Sequence, residues 1–229
     1  MPIFRLADQL IFPDPELAEP EGLLAVGGDL SVPRLLLAYS MGIFPWFNEG
    51  EPILWWSPDP RCVLELDEVR VSRRLARVLR RGVFSVTFDR AFAQVVDNCA
   101  DLRRERGEGT WITAAMAEAY CRLHKAGYAH SVEAWQDGTL AGGLYGIALG
   151  PFFFGESMFS RITDASKVVF TTLARLLREL DYELLDCQLP SAHLFSLGAR
   201  SLPRSEFLRR LAAGGLRPSL LPVPGKFPS

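Results

Sequence analysis

Hydrophobic and polar positions repeat with two different periods along this chain, and the change between them outlines the elements. From 169 to 180, Val169, Phe170, Leu173, Leu176, Leu177 and Leu180 recur at i, i+3, i+4 and i+7, which predicts an amphipathic helix with one apolar face. Phe92, Val95, Val96 and Cys99 share a face in the same way on a helix opened by Asp89. Ser31 ahead of Pro33 predicts a capped helix running to Gly42, Ser72 another, and Thr113 a fourth that ends at Gly127. A last helix spans 205–213 and stops at Gly214-Gly215. Between these stretches the runs become short and strand-like: 131–136 and 140–149 around Asp137-Gly138, a strong hairpin signal. Gly150-Pro151 then turns the chain into 152–159, and 182–189 reads as a further strand. Residues 1–20, rich in proline and acid, read as irregular. The segment 43–61, with Trp46, Trp55 and Trp56, reads as a packed loop or short strands. The four-proline tail beyond Gly215 reads as loose.

A meander of strands followed by strand–helix–strand predicts an α+β chain. Its small N-terminal domain spans 1–60, and a domain over 61–229 carries a mixed, mostly antiparallel sheet flanked by helices. That order resembles the acetyl-CoA N-acetyltransferase (GNAT) superfamily, whose coenzyme pyrophosphate sits on glycine-spaced amides at a helix N-terminus. Here Ser160-Arg161-Ile162-Thr163-Asp164-Ala165 contains no glycine. The expectation is therefore the fold without the coenzyme.

Composition narrows the classes. The 229 residues are 48% hydrophobic, enough for a full core, yet no run of about 18 apolar residues predicts a membrane span. Met1-Pro2-Ile3-Phe4-Arg5 lacks the charged start and long apolar stretch of a signal peptide. Cys62, Cys99, Cys121 and Cys187 form no C-x-x-C pair, which fits a reducing cytoplasm better than a zinc or disulfide framework. The net charge of −2 excludes general affinity for nucleic acid, so any RNA contact needs a local patch of arginine.

One such patch exists. Arg73, Arg74, Arg77, Arg80 and Arg81 fall within about 120° of a helix whose other side carries Leu75, Val78 and Leu79. Guanidinium forks suit phosphate oxygens, and no Glu sits at helical spacing to neutralise them. The plainer reading is a solvated charged face. Two carboxylates also stand out in apolar runs: Asp186, which a strand places on one face with Gln188 about 7 Å away, and Glu156 among phenylalanines. Each needs a cation or a shifted pKa. Either they form a cation-accepting pocket, or each pairs with a nearby arginine such as Arg161. Trp46 and Trp111 lie in glycine- or proline-marked segments, where a ring can stack on a base or simply fill core. His124, His130 and His193 form no triad or metal pattern.

Longer motifs carry a closer likeness. They are Gly22-Leu23-Leu24-Ala25 into Gly27-Gly28-Asp29-Leu30, Gly42-Ile43-Phe44-Pro45-Trp46-Phe47, and Ile53-Leu54-Trp55-Trp56-Ser57-Pro58-Asp59-Pro60-Arg61. Gly109-Thr110-Trp111-Ile112-Thr113, Gly155-Glu156-Ser157-Met158-Phe159-Ser160-Arg161, Ala165-Ser166-Lys167 and Asp186-Cys187-Gln188 follow. Over about residues 10–210 the chain resembles leucyl/phenylalanyl-tRNA–protein transferases. The resemblance implies transfer of Leu or Phe, less well Met, from aminoacyl-tRNA to proteins or peptides with N-terminal Arg or Lys, creating an N-degron. It implies a cytoplasmic monomer that uses no cofactor, metal or membrane.

By the same resemblance Asp186, Gln188 and Glu156 are catalytic, and Trp46 and Trp111 hold the donor adenosine. Leu144, Phe153, Phe170, Leu173 and Leu177 line the donor side-chain pocket, and Arg73, Arg77 and Arg81 meet the tRNA. Asp186 and Glu156 are expected to attract the basic N-terminal residue, with Asp186 orienting Gln188 or acting as base. Two departures appear: Ser191 stands where asparagine is expected, and 101–106 is longer than usual. Two other readings compete, an acyl-CoA N-acetyltransferase and a non-enzymatic tRNA-binding module resting on the arginine helix alone.

Overall fold

The computed structural model describes residues 3–105, 107, 109–218 and 222–228. Seven strands form the main sheet: β5 (Arg61–Leu64), β6 (Ser85–Phe88), β7 (Ala129–Gln136), β8 (Thr139–Leu149), β9 (Phe152–Ser160), β10 (Leu184–Gln188) and β11 (Arg200–Leu202). Their order is β11-β5-β10-β9-β8-β7-β6, with β9 and β10 parallel and every other pair antiparallel. The chain is thus α+β with a mixed, mostly antiparallel sheet, as the pattern predicts. The helix between β9 and β10, α5 (Ala165–Glu179), is what allows those two strands to run parallel.

Alternation along β8 separates two cores. Tyr145, Ile147 and Leu149 face α3 (Phe92–Glu105) and α4 (Ala114–Lys125), whereas Leu144 and Ala148 face α5. Gly142 lets α5 approach closely: a Cβ there would lie 2.7 Å from that of Ala165. Asp137 and Gly138 take φ of 51° and 76°, the geometry of the tight hairpin between β7 and β8.

A second sheet, β1 (Phe4–Leu6), β2 (Leu23–Gly27), β3 (Phe44–Pro45) and β4 (Leu54–Trp56), has the order β1-β2-β4-β3. It packs with α1 (Val32–Ser40), and its buried Leu24, Ala25, Phe44 and Trp55 join the core that α3 and α4 share. The Ser31 hydroxyl accepts from the Arg34 amide, and Thr113 from the Met116 amide, so both predicted caps hold. The remaining helices are α2 (Arg73–Arg80), α6 (Ala192–Ser196) and α7 (Arg204–Ala213). No helix among the described residues is long and apolar enough to cross a membrane.

Two expectations change. Residues 1–20 are not wholly irregular, since β1 and a 3-10 turn at Pro15–Leu17 lie there. Over 222–228 the tail is not loose: the Gly225 amide donates to the Ala148 carbonyl at 2.9 Å, and Phe227 stacks on His130 at 4.2 Å; residues 219–221 and 229 lie outside the described residues. Prolines end helices, but they do not prevent a segment from docking by its other residues. The short β6, β11 and α6 carry too few residues to show a period and were not predicted.

Candidate active site

Strand β10 ends in an irregularity that shapes the site. Its register against β5 slips between Asp186 and Gln188, and Gln188 takes φ of 60°. Asp186 is fully buried and meets Arg61 in a fork: Nε donates to Oδ1 at 2.8 Å and Nη2 to Oδ2 at 2.7 Å. Arg61 is itself buried, gives Nη1 to the Gly42 carbonyl at 3.1 Å, and has its guanidinium 4.8 Å from the Phe44 ring and 4.7 Å from that of Phe207. The Gln188 backbone amide donates to Asp186 Oδ1 at 2.9 Å. Asp186 thus fixes the bulge that turns Gln188 away from regular strand geometry.

Gln188 in turn donates through Nε2 to Glu156 Oε1 at 2.8 Å. That carboxylate, on β9, also accepts from Tyr39 at Oε1 (2.8 Å) and from Tyr120 at Oε2 (2.6 Å), and the two phenol oxygens lie 2.8 Å apart. Burial pushes the Glu156 pKa up to about 7, with the charge of Asp186 adding to the rise; the bonds from Tyr120, Tyr39 and Gln188 oppose it. Burial and the Glu156 charge hold both phenols well above the ordinary tyrosine range. The two-carboxylate cation niche is therefore corrected. Both oxygens of Asp186 belong to Arg61 and the Gln188 amide, and Asp186 lines neither of the cavities beside it. Glu156 is the one carboxylate lining them. Arg161 pairs with Glu105 and Asn98, away from either acid.

Two cavities meet at Glu156. One, of about 330 Å³, brings together Trp46, Trp111, Gln188, Arg103 and Ser191. Trp46 is 39% exposed and braced by Trp56, whose Nε1 donates to its carbonyl at 2.8 Å. The other, of about 220 Å³, is lined by Leu144, Met158, Phe170, Leu185 and Leu194. Arg103, Glu156, Cys187, Ser191 and Leu194 belong to both walls, so the two spaces adjoin. Of the predicted slot residues, only Leu144 and Phe170 line it. Phe153, Leu173 and Leu177 are fully buried in the core between the sheet and α5 and line neither of these two cavities. All three lie on the apolar face of α5 or the adjacent strand, where periodicity marks burial and does not separate core from cavity wall.

Sequence reasoning missed Arg61, Tyr39, Tyr120, Met158, Leu185, Leu194 and Arg103. Only Arg61 left a signal, because a carboxylate in an apolar strand demands a buried cation. Ser191, the residue that departs from the expected asparagine, caps α6 through its hydroxyl, which accepts from the Leu194 amide at 3.2 Å. The extended segment 101–106 belongs to α3 up to Glu105; Arg106 lies outside the described residues.

The arginine helix forms as predicted. Ser72 caps α2 and Leu75 anchors it in the core, with Arg73, Arg74, Arg77, Arg80 and Arg81 exposed. Arg74 pairs with Asp164 at 3.0 Å, a carboxylate that no spacing within the helix could reveal. Arg73, Arg77 and Arg81 have no ion-pair partner among the described residues.

Comparison with known proteins bears on this arrangement. Residues 63–212 match the model for "Leucyl/phenylalanyl-tRNA protein transferase", and 28–59 match that for its N-terminal domain. The chain is 61% identical to a leucyl/phenylalanyl-tRNA–protein transferase of Syntrophotalea carbinolica over 229 residues, all of both chains. It is 61% identical to that of Syntrophobacter fumaroxidans over 212 residues, 93% of this chain and 91% of the relative. Among solved structures, a ribosomal-protein-alanine N-acetyltransferase from Brucella melitensis biovar Abortus 2308 gives a TM-score of 0.36 at 15% identity, covering 59% of this chain and 92% of that one.

Proposed function

The chain belongs to the leucyl/phenylalanyl-tRNA–protein transferase family, aminoacyltransferases acting from tRNA to protein, and we propose that its donor side chains are Leu and Phe, less well Met, and its acceptors proteins beginning with Arg or Lys. Transfer then creates an N-degron in the cytoplasm. The observation that carries this reading is the junction of an apolar slot with a tryptophan-lined cavity at Glu156 and Gln188.

In this reading Trp46 and Trp111 take the donor's 3′-terminal adenosine, since an aromatic ring stacks on a base for about 1–3 kcal/mol. The donor side chain enters the neighbouring slot between Leu144, Met158 and Phe170. A β-branched side chain fits such a slot poorly, whereas Met differs by a methylene-scale cost of about 1–3 kcal/mol and leaks through. The ester carbonyl then lies beside Gln188, and the acceptor's positively charged end meets Glu156.

Arg61 and Asp186 act as positioning residues that hold Gln188 in its turned conformation. Because the ester is already activated, binding both substrates side by side supplies much of the rate. Arg73, Arg77 and Arg81 meet the tRNA. The division into a small N-terminal domain over 1–60 and a GNAT-like catalytic domain over 61–229, acting as a monomer, belongs to the same proposal.

The test is transfer of label from Phe-tRNA to peptides that differ only in their first residue. Label entering peptides that start with Arg or Lys but not Ala supports the reading. Label entering all three equally overturns the acceptor assignment, and no transfer to any overturns the whole. Turnover of acetyl-CoA would instead favour the acetyltransferase reading.

A further inference from the structure

Tyr39, Tyr120 and Glu156 form a closed ring of three contacts: phenol to phenol at 2.8 Å, Tyr39 to Oε1 at 2.8 Å and Tyr120 to Oε2 at 2.6 Å. Three contacts hold three protons. The two phenols bring only two, and both go to the carboxylate when Glu156 is ionised, which leaves two lone pairs facing across the Tyr39–Tyr120 contact. A third proton, on Glu156, completes the ring once the carboxyl O–H turns towards one phenol and that phenol turns its own O–H to the other, which keeps donating to the carboxyl. Both tyrosines are fully buried, while Glu156 lines the cavities, so a proton can enter this ring only through Glu156.

We propose that the Glu156–Tyr39–Tyr120 ring is the proton acceptor for the incoming α-ammonium, a role the family likeness does not give to the tyrosines and the sequence reading placed on Asp186. This rests on the transferase reading above. The ammonium gives one proton to Glu156, and the freed nitrogen lone pair attacks the ester carbonyl. The C–N bond forms, the C–O bond to the ribose breaks, and the second proton passes from nitrogen to the departing ribose oxygen. The products are an amide, a ribose hydroxyl and a neutral ring, which later loses its proton to water through the cavity.

Affinities match this direction. An α-amine titrates near about 8 and Glu156 near 7, so proton transfer is disfavoured about tenfold, against roughly 3000-fold for an ordinary glutamate. Asp186 cannot substitute, because Arg61 occupies it. The groups around Glu156 are accounted for: Tyr39 on α1, Tyr120 on α4, Tyr145 on β8, and Asp186 with Gln188 on β10. On the cavity side Arg103, from α3, lines the same walls as Glu156.

The test compares wild type with Glu156→Gln at pH 6.5 and pH 9, using Phe-tRNA and an Arg-initiated peptide. The variant should lose more kcat at pH 6.5, where the amine is almost wholly protonated, than at pH 9, where solvent has already deprotonated the amine and the loss should be no more than about fivefold. A second acceptor carries an α-aminooxy group, a far weaker base that is neutral at pH 6.5. It should recover most of the variant's extra deficit at pH 6.5, which also shows that the variant is folded. Tyr120→Phe should move the wild-type kcat midpoint near pH 7 upward, because the charge-assisted bond it removes favours the anion. Equal losses at both pH values and with both acceptors, or an unmoved midpoint in Tyr120→Phe, would overturn the ring. Failure of wild type with every acceptor would instead overturn the transferase reading.

Discussion

The polar network at the end of β10 and the arginine face of α2 both present charge to a substrate, yet they are built on opposite terms. Around Asp186 the charged groups are buried or half-buried and held by fixed partners: Arg61 with Asp186, Asp186 with the Gln188 amide, Gln188 and two tyrosines with Glu156. On α2, Arg73, Arg77 and Arg81 stand exposed without an ion-pair partner among the described residues. The first arrangement fixes geometry at the expense of desolvation, and the fold must supply every partner. The second costs the fold little and leaves its charges for a polyanion to neutralise. Precision lies where water is excluded, and capture lies where it is not.

The sharpest way to break this comparison is to remove one partner from the buried side. Arg61→Met leaves the Asp186 carboxylate buried and uncompensated, and should lower the unfolding free energy by about 3–5 kcal/mol, read from the urea midpoint at unchanged slope. The double variant Arg61→Met/Asp186→Leu should regain most of that stability, because an apolar pair of similar volume replaces the ion pair. It should not regain kcat, since Gln188 has lost the anchor for its backbone amide. Recovery of both would reduce the pair to a structural role.

How far the sequence reveals each side follows from the same contrast. The arginine face was legible because a helix repeats every 3.6 residues and its face is decided locally. The buried network was legible only in part. Asp186 and Glu156 stood out as expensive carboxylates, but their partners come from positions 125 and 117 residues away, Arg61 and Tyr39 respectively. A strand's period of two also assumed regular geometry, which the slip at Gln188 breaks. The same limit explains the slot. Leu173 and Leu177 share the apolar face of α5 with Phe170, and only the tertiary arrangement shows that Phe170 alone among them borders open space.

That correction is testable on its own. Leu173→Ala should cost about 2–5 kcal/mol of stability through the void it leaves. It should leave the ranking of Leu, Phe and Met donors unchanged. Met158→Ala enlarges the slot instead, and should shift the Phe-to-Leu ratio of kcat/KM by up to about 3 kcal/mol in favour of Phe with little loss of stability. Reversed outcomes would return Leu173 to the cavity wall.

The buried side should also carry a pH signature in stability that the exposed side lacks. Glu156 binds its proton more tightly in the folded chain than in the unfolded one, where its pKa is that of an ordinary glutamate. Between about pH 4.5 and 7 the unfolded state therefore binds fewer protons, so stability falls as pH rises through that window. The gap between the ordinary value of 4.5 and about 7 sets an upper bound of about 3.5 kcal/mol, and partial contact with the cavity brings the expected loss nearer about 2. Glu156→Gln should flatten this slope in unfolding curves taken at pH 5, 6 and 7. An unchanged slope would place the titrating group elsewhere.

The smallest effect per residue belongs to the arginine face, and it is distinguished by salt. Replacing Arg73, Arg77 and Arg81 together with Gln removes three exposed cations, each worth no more than about 1 kcal/mol at physiological ionic strength. Their signature is in the slope of log affinity against log salt, which should become shallower by about 2–3 if each meets one phosphate. Measured by anisotropy of labelled tRNA between 50 and 300 mM KCl, the variant and wild-type lines should converge as salt rises. Urea unfolding of the same variant should be unaltered, because Leu75 still anchors α2. Parallel lines would mean that these arginines meet no phosphate, and the division between a buried positioning network and an exposed capturing face would fail on its exposed side.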